Sequence, residues 1–178
     1  MHAEAYEFCR YAAGKIGRYI DMSEASMLDV GGRNINGSVH ELFPVDSVTT
    51  TDIIEGEGVD FVVDFSIKDI PKYLSWSGKF DIVISTEVLE HAPDWRNIVE
   101  NMIESTKPGG WIVITCATTG RPPHSAIDGH FLTDDDDEFY QNVDEKDLIS
   151  VVENLDIDLI YVNTTNTHCD LQALLRKK

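Results

Sequence analysis

The chain has 178 residues, of which 42% are hydrophobic and 26% are charged, a composition typical of a globular domain rather than a disordered or fibrous chain. Fourteen Lys and Arg residues against 32 Asp and Glu residues give a net charge of −18, and a surface so negative repels phosphate backbones and anionic lipids. We therefore expect neither a nucleic-acid partner nor a membrane partner. Three cysteines lie far apart without a CxxC pair, so a disulfide framework and a cysteine-based zinc site are excluded, and no metal is expected.

The chain contains no run of about 18 apolar residues, the length that a membrane-spanning helix needs. Its first residues, MHAEAYEFCR, lack the apolar region of a secretion signal. We therefore expect a cytoplasmic protein with one domain over residues 1–178, present as a monomer or a homodimer.

The first half of the chain alternates between helical and strand patterns. Apolar residues recur at four-residue spacing over residues 3–20, which predicts an amphipathic helix within an N-terminal helix or lid segment, residues 1–25. Five short apolar runs without internal Gly or Pro predict strands: Met27–Val30, Ser47–Thr51, Val59–Val63, Phe80–Ser85 and Trp111–Thr115. Runs such as DIVIS and WIVIT do not alternate with polar residues, as expected for strands covered on both faces of a parallel sheet.

The second half adds helices, a long loop and a hairpin. A helix is predicted over Asp94–Thr106, ended by the KPGG turn at 107–110, and another begins after Val143 with Asp144 as its N-cap. Residues 117–142 form a long loop on the acceptor side, whose acidic run 134–138 is expected to be solvated. The strand patterns 157–162 and 168–174 flank an NTTN turn and predict an antiparallel hairpin, which completes a doubly wound α/β sheet.

Polar and glycine residues follow the first three strands, at the edge of a parallel sheet where ligands bind. Gly31 and Gly32 let a ligand approach the backbone after the first strand. Asp52 ends the second strand, at a distance suited to a carboxylate that binds ribose hydroxyls. Asp64 and Phe65 follow the third strand and offer an acceptor and an aromatic ring for an adenine. Together they predict a nucleoside site.

The sequence does not predict a dinucleotide as the ligand of this site. Arg33 and Asn36 stand where the G-x-G-x-x-G fingerprint requires glycines, and the Lys-Ser/Thr pair of a P-loop is absent.

The segments LDVGGRNINGS, TTDI, DFVVDFS, FDIVISTEVLEHAPDW and STKPGGWIVIT resemble the class I S-adenosylmethionine-dependent methyltransferases of the small-molecule group. The resemblance extends from about Met27 to Thr115. It implies a Rossmann-like, seven-stranded and mostly parallel sheet in the order 3-2-1-4-5-7-6 with the last strand antiparallel. It also implies S-adenosyl-L-methionine as cofactor and S-adenosyl-L-homocysteine as product.

The resemblance assigns roles to the residues at the strand ends. Gly31 and Gly32 would lie along the methionine part of the cofactor, above Asp29. Asp52 would bind the ribose hydroxyls, and Ile53, Asp64 and Phe65 would contact the adenine. Thr86 and Glu87 would line the floor near the sulfonium. Arg33 and Ile35 replace the later glycines of the family's first motif, and Gly37-Ser38 offers an alternative helix start. Arg33, Asn34 and the Ser38 region are therefore all candidates to hold the methionine carboxylate.

His91 ends the EVLEH element beside the reactive end of the cofactor and is the candidate catalytic base. His124 and His130, in the long loop, are candidates for contact with the substrate. These residues predict methyl transfer to a small-molecule or glycan-like acceptor. The alternatives are a non-catalytic nucleoside-binding module and, less favoured, a nucleic-acid methyltransferase, since Ser85–Val88 lacks the Asn/Asp-Pro-Pro-aromatic element used in base methylation.

Overall fold

Seven strands of the computed structural model, which describes residues 2–35 and 37–178, form one mixed sheet. The strands are β1 (Ser26–Val30), β2 (Ser47–Asp52), β3 (Phe61–Val62), β4 (Phe80–Thr86), β5 (Thr106–Ala117), β6 (Ile157–Thr164) and β7 (Asp170–Lys177). Their order is β3-β2-β1-β4-β5-β7-β6, and β7 runs antiparallel to both of its neighbours. The predicted fold class, strand order and closing hairpin are confirmed.

Helices cover both faces of this sheet. They are α1 (Ala3–Ile16), α2 (Ile70–Tyr73), α3 (Trp95–Ser105) and α4 (Glu145–Val152). One core lies between α1 and the sheet face that carries Ile82 and Val113, and the other lies beneath α3 and α4 on the face that carries Val83 and Ile112. β4 and β5 are buried along most of their length, which explains why their sequences do not alternate.

Several element boundaries differ from the sequence prediction. α1 ends at Ile16 and not at residue 20, because Gly17 terminates it. The KPGG segment lies within the bounds of β5 and is not a turn that precedes the strand; the register between β4 and β5 shifts there, where Gly109 has a φ of +78°. Asp144 is the N-cap position of α4, but its side chain does not cap the helix and instead accepts a hydrogen bond from Thr119.

The connection after β1 also departs from expectation. Among residues 31–35 and 37–46 the structure has no α-helix, only a 3-10 turn at His40–Leu42, so Gly37-Ser38 does not start the α-helix that the sequence suggested. Asn36, one of the positions used against the dinucleotide fingerprint, lies outside the described residues. Across the described ranges, every helix is too short or too polar to cross a bilayer.

Candidate functional site

Two adjacent cavities lie at the carboxyl ends of the strands. The larger cavity has a volume of about 610 Å³ and the smaller pocket about 240 Å³. The residues shared by both are Gly31, Arg33, Ile35, Glu87, His91 and Ala126. These shared residues make the two cavities direct neighbours.

The two glycines after β1 allow the backbone to bend tightly. Gly31 has a φ of +77°, and a Cβ atom there would overlap the side chain of Val88. A Cβ atom on Gly32 would lie 2.5 Å from Oδ2 of Asp29. The amides of both glycines donate to the carbonyl oxygen of Thr51. Both glycines therefore fit a backbone that a ligand approaches closely, as the sequence suggested.

Asp29 lies beneath this turn and lines the larger cavity. Its Oδ2 is 2.8 Å from Nε2 of His40, and this hydrogen bond raises the pKa of His40 above its usual value. Its Oδ1 is buried and has no hydrogen-bond partner among the described residues. Asp29 thus has one buried carboxylate oxygen that is still available to a hydrogen-bond donor. No sequence pattern pointed to His40.

Of the three candidates for a carboxylate partner, Arg33 has the most suitable position. Arg33 lines both cavities, its Nε is buried without a partner, and it forms no ion pair with any described residue. Ser38 lines the larger cavity, but its hydroxyl accepts from the amide of His40. The structure places Asn34 outside the lining of both cavities, because its side-chain oxygen accepts from the amide of Gly37 and its amide donates to Glu57.

Asp52 and Ile53 lie at the end of β2 in the smaller pocket. The Asp52 carboxylate accepts from the amides of Arg33 at 3.3 Å and Ile54 at 3.0 Å. These two hydrogen bonds hold the carboxylate beside the glycine turn, in the lining of the smaller pocket. The side chain of Ile53 is 66% exposed and provides an uncovered apolar wall.

Asp64 and Phe65 also line the smaller pocket, but they differ in exposure. Asp64 is exposed, and its carboxylate accepts from the amide and hydroxyl of Ser66. Phe65 is only 3% exposed and belongs to the core beneath α3. An adenine here would meet mainly the backbone and the rim of Phe65 rather than an open ring face.

Thr86 and Glu87 follow β4 at the floor of the larger cavity. Glu87 has a φ of +57°, an uncommon conformation for a residue with a side chain. Its carboxylate accepts from Thr115 at 2.9 Å and lies 3.2 Å from Nε2 of His2. Although burial favours the neutral acid, the hydrogen bond with His2 holds the pKa of Glu87 below its usual value.

His2 links this floor to the last strand. Its Nε2 lies 3.0 Å from Asp170, which also contacts Arg121 at 3.3 Å. Although burial disfavours the imidazolium, the hydrogen bonds to Asp170 and Glu87 raise the pKa of His2 to about 9. Among residues 2–25, His2 is the one that lines the larger cavity, while α1 packs against the sheet.

His91 lies where the two cavities join, together with two aromatic rings. His124 and Tyr140 pack against His91 with ring centroids 5.1 and 5.5 Å away. Burial, and next the neighbouring His124, lower the pKa of His91 to about 4, so its imidazole is neutral at pH 7. Burial also lowers the pKa of His124 and raises that of Tyr140. His124 lines the larger cavity.

His130 does not share this environment. It is exposed, lies outside the lining of both cavities, and contacts Asp128 at 2.6 Å and Asp136 at 3.3 Å. The acidic run is used partly within the loop itself, since Glu138 accepts from Ser125 at 2.8 Å and from the amide of Ala126. These bonds hold the part of the loop that closes over both cavities.

Four further residues of the site come from the chain ends and the long loop, where no sequence pattern pointed to them: His2, Arg121, Tyr140 and Asp170. Glu90 was not identified either. The EVLEH element did contain a signal for Glu90. It follows the end of a strand, and Glu90 directly precedes the candidate catalytic residue His91. The other four had no local sequence signal.

A family model described as a methyltransferase domain matches residues 2–162. Ubiquinone biosynthesis O-methyltransferases of Albidiferax ferrireducens and Bordetella avium are 40% and 41% identical over 50 and 51 residues, or 28% and 29% of this chain. The matched segment spans 19% and 20% of the length of those curated relatives.

Solved structures share the fold at low identity. A Burkholderia thailandensis 1,6-didemethyltoxoflavin-N1-methyltransferase with bound 1,6-didemethyltoxoflavin and S-adenosylhomocysteine matches with a TM-score of 0.65 and 15% identity, over 96% of this chain and 78% of that one. An S-adenosylmethionine-dependent methyltransferase from Mesorhizobium loti matches with a TM-score of 0.65 and 13% identity, over 95% and 98%. The magnesium protoporphyrin IX methyltransferase of Synechocystis with bound S-adenosylmethionine matches with a TM-score of 0.61 and 11% identity, over 97% and 79%.

Proposed function

The chain belongs to the class I S-adenosylmethionine-dependent methyltransferases, and we propose that it transfers the methyl group of its cofactor to a small-molecule or glycan-like acceptor in the larger cavity. The observation that carries this proposal is the adjacency of the two cavities, which share Gly31, Arg33, Glu87 and His91 in their linings. A nucleoside in the smaller pocket would direct its sulfonium toward the larger cavity. The volume of about 610 Å³ lies in the range of small-molecule sites.

The smaller pocket suits the nucleoside end of the cofactor. The Asp52 carboxylate would accept hydrogen bonds from the two ribose hydroxyls, and charged acceptors of this kind form the stronger hydrogen bonds. Ile53 would pack against the adenine, and Asp64 would accept from its amino group. Phe65 would contribute its rim and backbone, consistent with its burial in the core.

The methionine end has two partners of opposite charge. Arg33 lacks an ion pair among the described residues and would bind the α-carboxylate. The unpartnered Oδ1 of Asp29 would accept from the α-ammonium. Gly31 and Gly32 would pass beneath the chain that joins these groups, with no side chain in the way.

The reaction asks for alignment more than for acid–base chemistry. The acceptor atom forms a bond to the methyl carbon while the carbon–sulfur bond breaks, and the sulfur keeps that electron pair to give S-adenosylhomocysteine. A hydroxyl acceptor also loses its proton. We favour a hydroxyl acceptor because of the short segment shared with O-methyltransferases. We expect His91 to accept the proton of this hydroxyl and His124 to contact the acceptor.

The test is release of S-adenosylhomocysteine from S-adenosylmethionine by the purified chain, with hydroxylated aromatic compounds, sugars, DNA and RNA as separate acceptors. We expect release with small hydroxylated acceptors and only background release with nucleic acid, because a net charge of −18 opposes binding to a phosphate backbone. Release with DNA or RNA alone would refute the acceptor class. Cofactor binding without release for any acceptor would instead support a non-catalytic binding module.

A further inference from the structure

Three potential metal ligands converge at the junction of the two cavities. One ligand atom from each of Glu90, His91 and His124 lies within 4.8 Å of the others. Glu90 and His91 come from the short 3-10 turn after β4, and His124 comes from the long loop. Three ligands around one ion at about 2.1 Å are about 3–4 Å apart, so small side-chain adjustments bring these atoms to that spacing.

Two of the three residues carry buried atoms that lack a partner. Glu90 is 0% exposed, and its Oε1 accepts from the amide of Ala117 at 3.1 Å, but its Oε2 has no partner among the described residues. Nδ1 of His91 is likewise buried and unpartnered. Leaving such atoms unsatisfied is unfavourable, and both belong to residues of the same cluster, so we consider one ligand that would satisfy both.

A cation between these residues would satisfy both unpartnered atoms. Burial, and next the nearby charge of Glu87, raise the pKa of Glu90 above its usual value. A nearby positive ion favours the ionised form of a carboxyl group, so a bound cation would oppose this shift.

The third residue has the orientation that metal-bound histidines show. Nδ1 of His124 lies 3.2 Å from the carbonyl oxygen of Pro122. If Nδ1 donates there, the lone pair is left on Nε2, and ligating histidines commonly use their other nitrogen in this way. Tyr140 packs against both imidazoles, with ring centroids 5.5 Å from His91 and 5.0 Å from His124, and restricts their rotation.

We infer that Glu90, His91 and His124 bind a divalent transition-metal ion that holds the acceptor of the methyl transfer. Two imidazoles and one carboxylate suit zinc, cobalt, iron and manganese better than magnesium. Three protein ligands leave open positions for a substrate oxygen. His91 and His124 line the larger cavity, where the acceptor would enter, while Glu90 lies behind them.

This site gives His91 a different role from that of a free base. A bound ion would make an acceptor hydroxyl lose its proton to water more readily, because the ion would stabilise the resulting oxyanion. The oxygen would then form its bond to the methyl carbon while the carbon–sulfur bond breaks. The role of the ion in catalysis rests on the proposed function, whereas ion binding is measured without any reaction.

A second cluster of similar residues does not support an ion. His2, Glu87 and Asp170 also lie within 4.8 Å of one another, but Arg121 contacts Asp170 at 3.3 Å and lies 4.0 Å from Glu87. The guanidinium of Arg121 already supplies the positive charge that a cation would bring.

The experiment titrates the chelator-treated full chain with Co²⁺ and follows the visible absorption of the bound ion. We expect one ion per chain, and affinities at least about 10–100-fold weaker in Glu90→Gln and in His124→Ala. His130→Ala is the matched control, because His130 lies on the same loop between two acids but is exposed. It should bind Co²⁺ like the wild type, and millimolar Mg²⁺ should not displace the ion.

Affinity for S-adenosylhomocysteine, measured in each variant, shows that the variant is folded. The inference is refuted if folded His124→Ala and Glu90→Gln bind Co²⁺ as tightly as the wild type. It is equally refuted if wild-type protein that binds S-adenosylhomocysteine takes up no Co²⁺. A chain that binds Co²⁺ at these residues but transfers no methyl group to any acceptor would contradict the proposed function and leave the ion site intact.

Discussion

Replacing Gly31 with alanine perturbs the turn on which the proposed cofactor binding depends. The new Cβ would overlap the side chain of Val88, and the residue would keep a φ of +77°. Val88 packs against the core beneath α3 and lines the smaller pocket. The substitution therefore acts on both the stability of the fold and the width of the pocket.

The magnitude has two parts. A residue with a Cβ atom in the left-handed region costs about 1–2 kcal/mol, and displacing Val88 adds about 1–3 kcal/mol. The free energy of unfolding should fall by about 2–5 kcal/mol, which lowers Tm by about 4–20 °C for a chain of this length. Affinity for S-adenosylhomocysteine should fall as well, because the displaced valine narrows the pocket.

Gly58→Ala separates these two parts. Gly58 has a φ of +80°, but its nearest neighbour, Cβ of Asn34, is at an ordinary 3.9 Å, so the change should cost only the conformational term of about 1–2 kcal/mol. Thermal unfolding of both variants gives the comparison. The double variant Gly31→Ala/Val88→Ala should recover part of the steric term. Equal losses in Gly31→Ala and Gly58→Ala would refute the steric argument.

Two further predictions concern charges around the larger cavity. Arg33→Met should weaken S-adenosylhomocysteine binding about 10–150-fold, the value of a charged hydrogen bond of about 1.5–3 kcal/mol. The Tm of the free protein should not fall, since Arg33 forms no ion pair with the described residues; unchanged affinity in calorimetry would contradict its role. His2 has a pKa of about 9 in the fold against 6.5 ordinarily, so its contribution to stability is complete below pH 6.5 and is lost as the pH rises through 9. Denaturant unfolding should show this loss of stability in the wild type but not in His2→Gln, because a neutral glutamine then faces Glu87, Asp170 and the permanently charged Arg121. An identical pH profile in both proteins would exclude His2 as the source of the loss.

The central strands were predictable because each is a buried run that had to lie between two layers. Val83 and Ile112 are fully buried, and short runs rich in β-branched residues are typical of strands covered on both faces. The KPGG segment misled the prediction, because Pro108 and Gly109 are typical of turns, whereas here they accompany a register shift within the bounds of β5. The hydrogen bond from Thr119 to the Asp144 carboxylate could not be predicted from local sequence rules either, because the two residues are distant in sequence.

The site was predictable where one residue type at a strand end suffices. Asp52 and Gly31 line the cavities as expected. Asn34, a candidate to hold the methionine carboxylate, lies outside the lining of both cavities, where its side-chain oxygen accepts a hydrogen bond from the amide of Gly37. His130 lies outside the cavity because two nearby acids bind it at the surface. His2 could not be found, since only folding brings it beside β4 and β7.

The most direct test of the account is calorimetric titration of the purified chain with S-adenosylhomocysteine, alongside Asp52→Asn. Asparagine keeps the shape of the side chain but loses the charge that would bind the ribose hydroxyls. We predict one binding site in the wild type and an affinity about 10–150-fold weaker in the variant. Absence of binding in the wild type, or equal affinity in the two proteins, would contradict the assignment of this pocket to the cofactor.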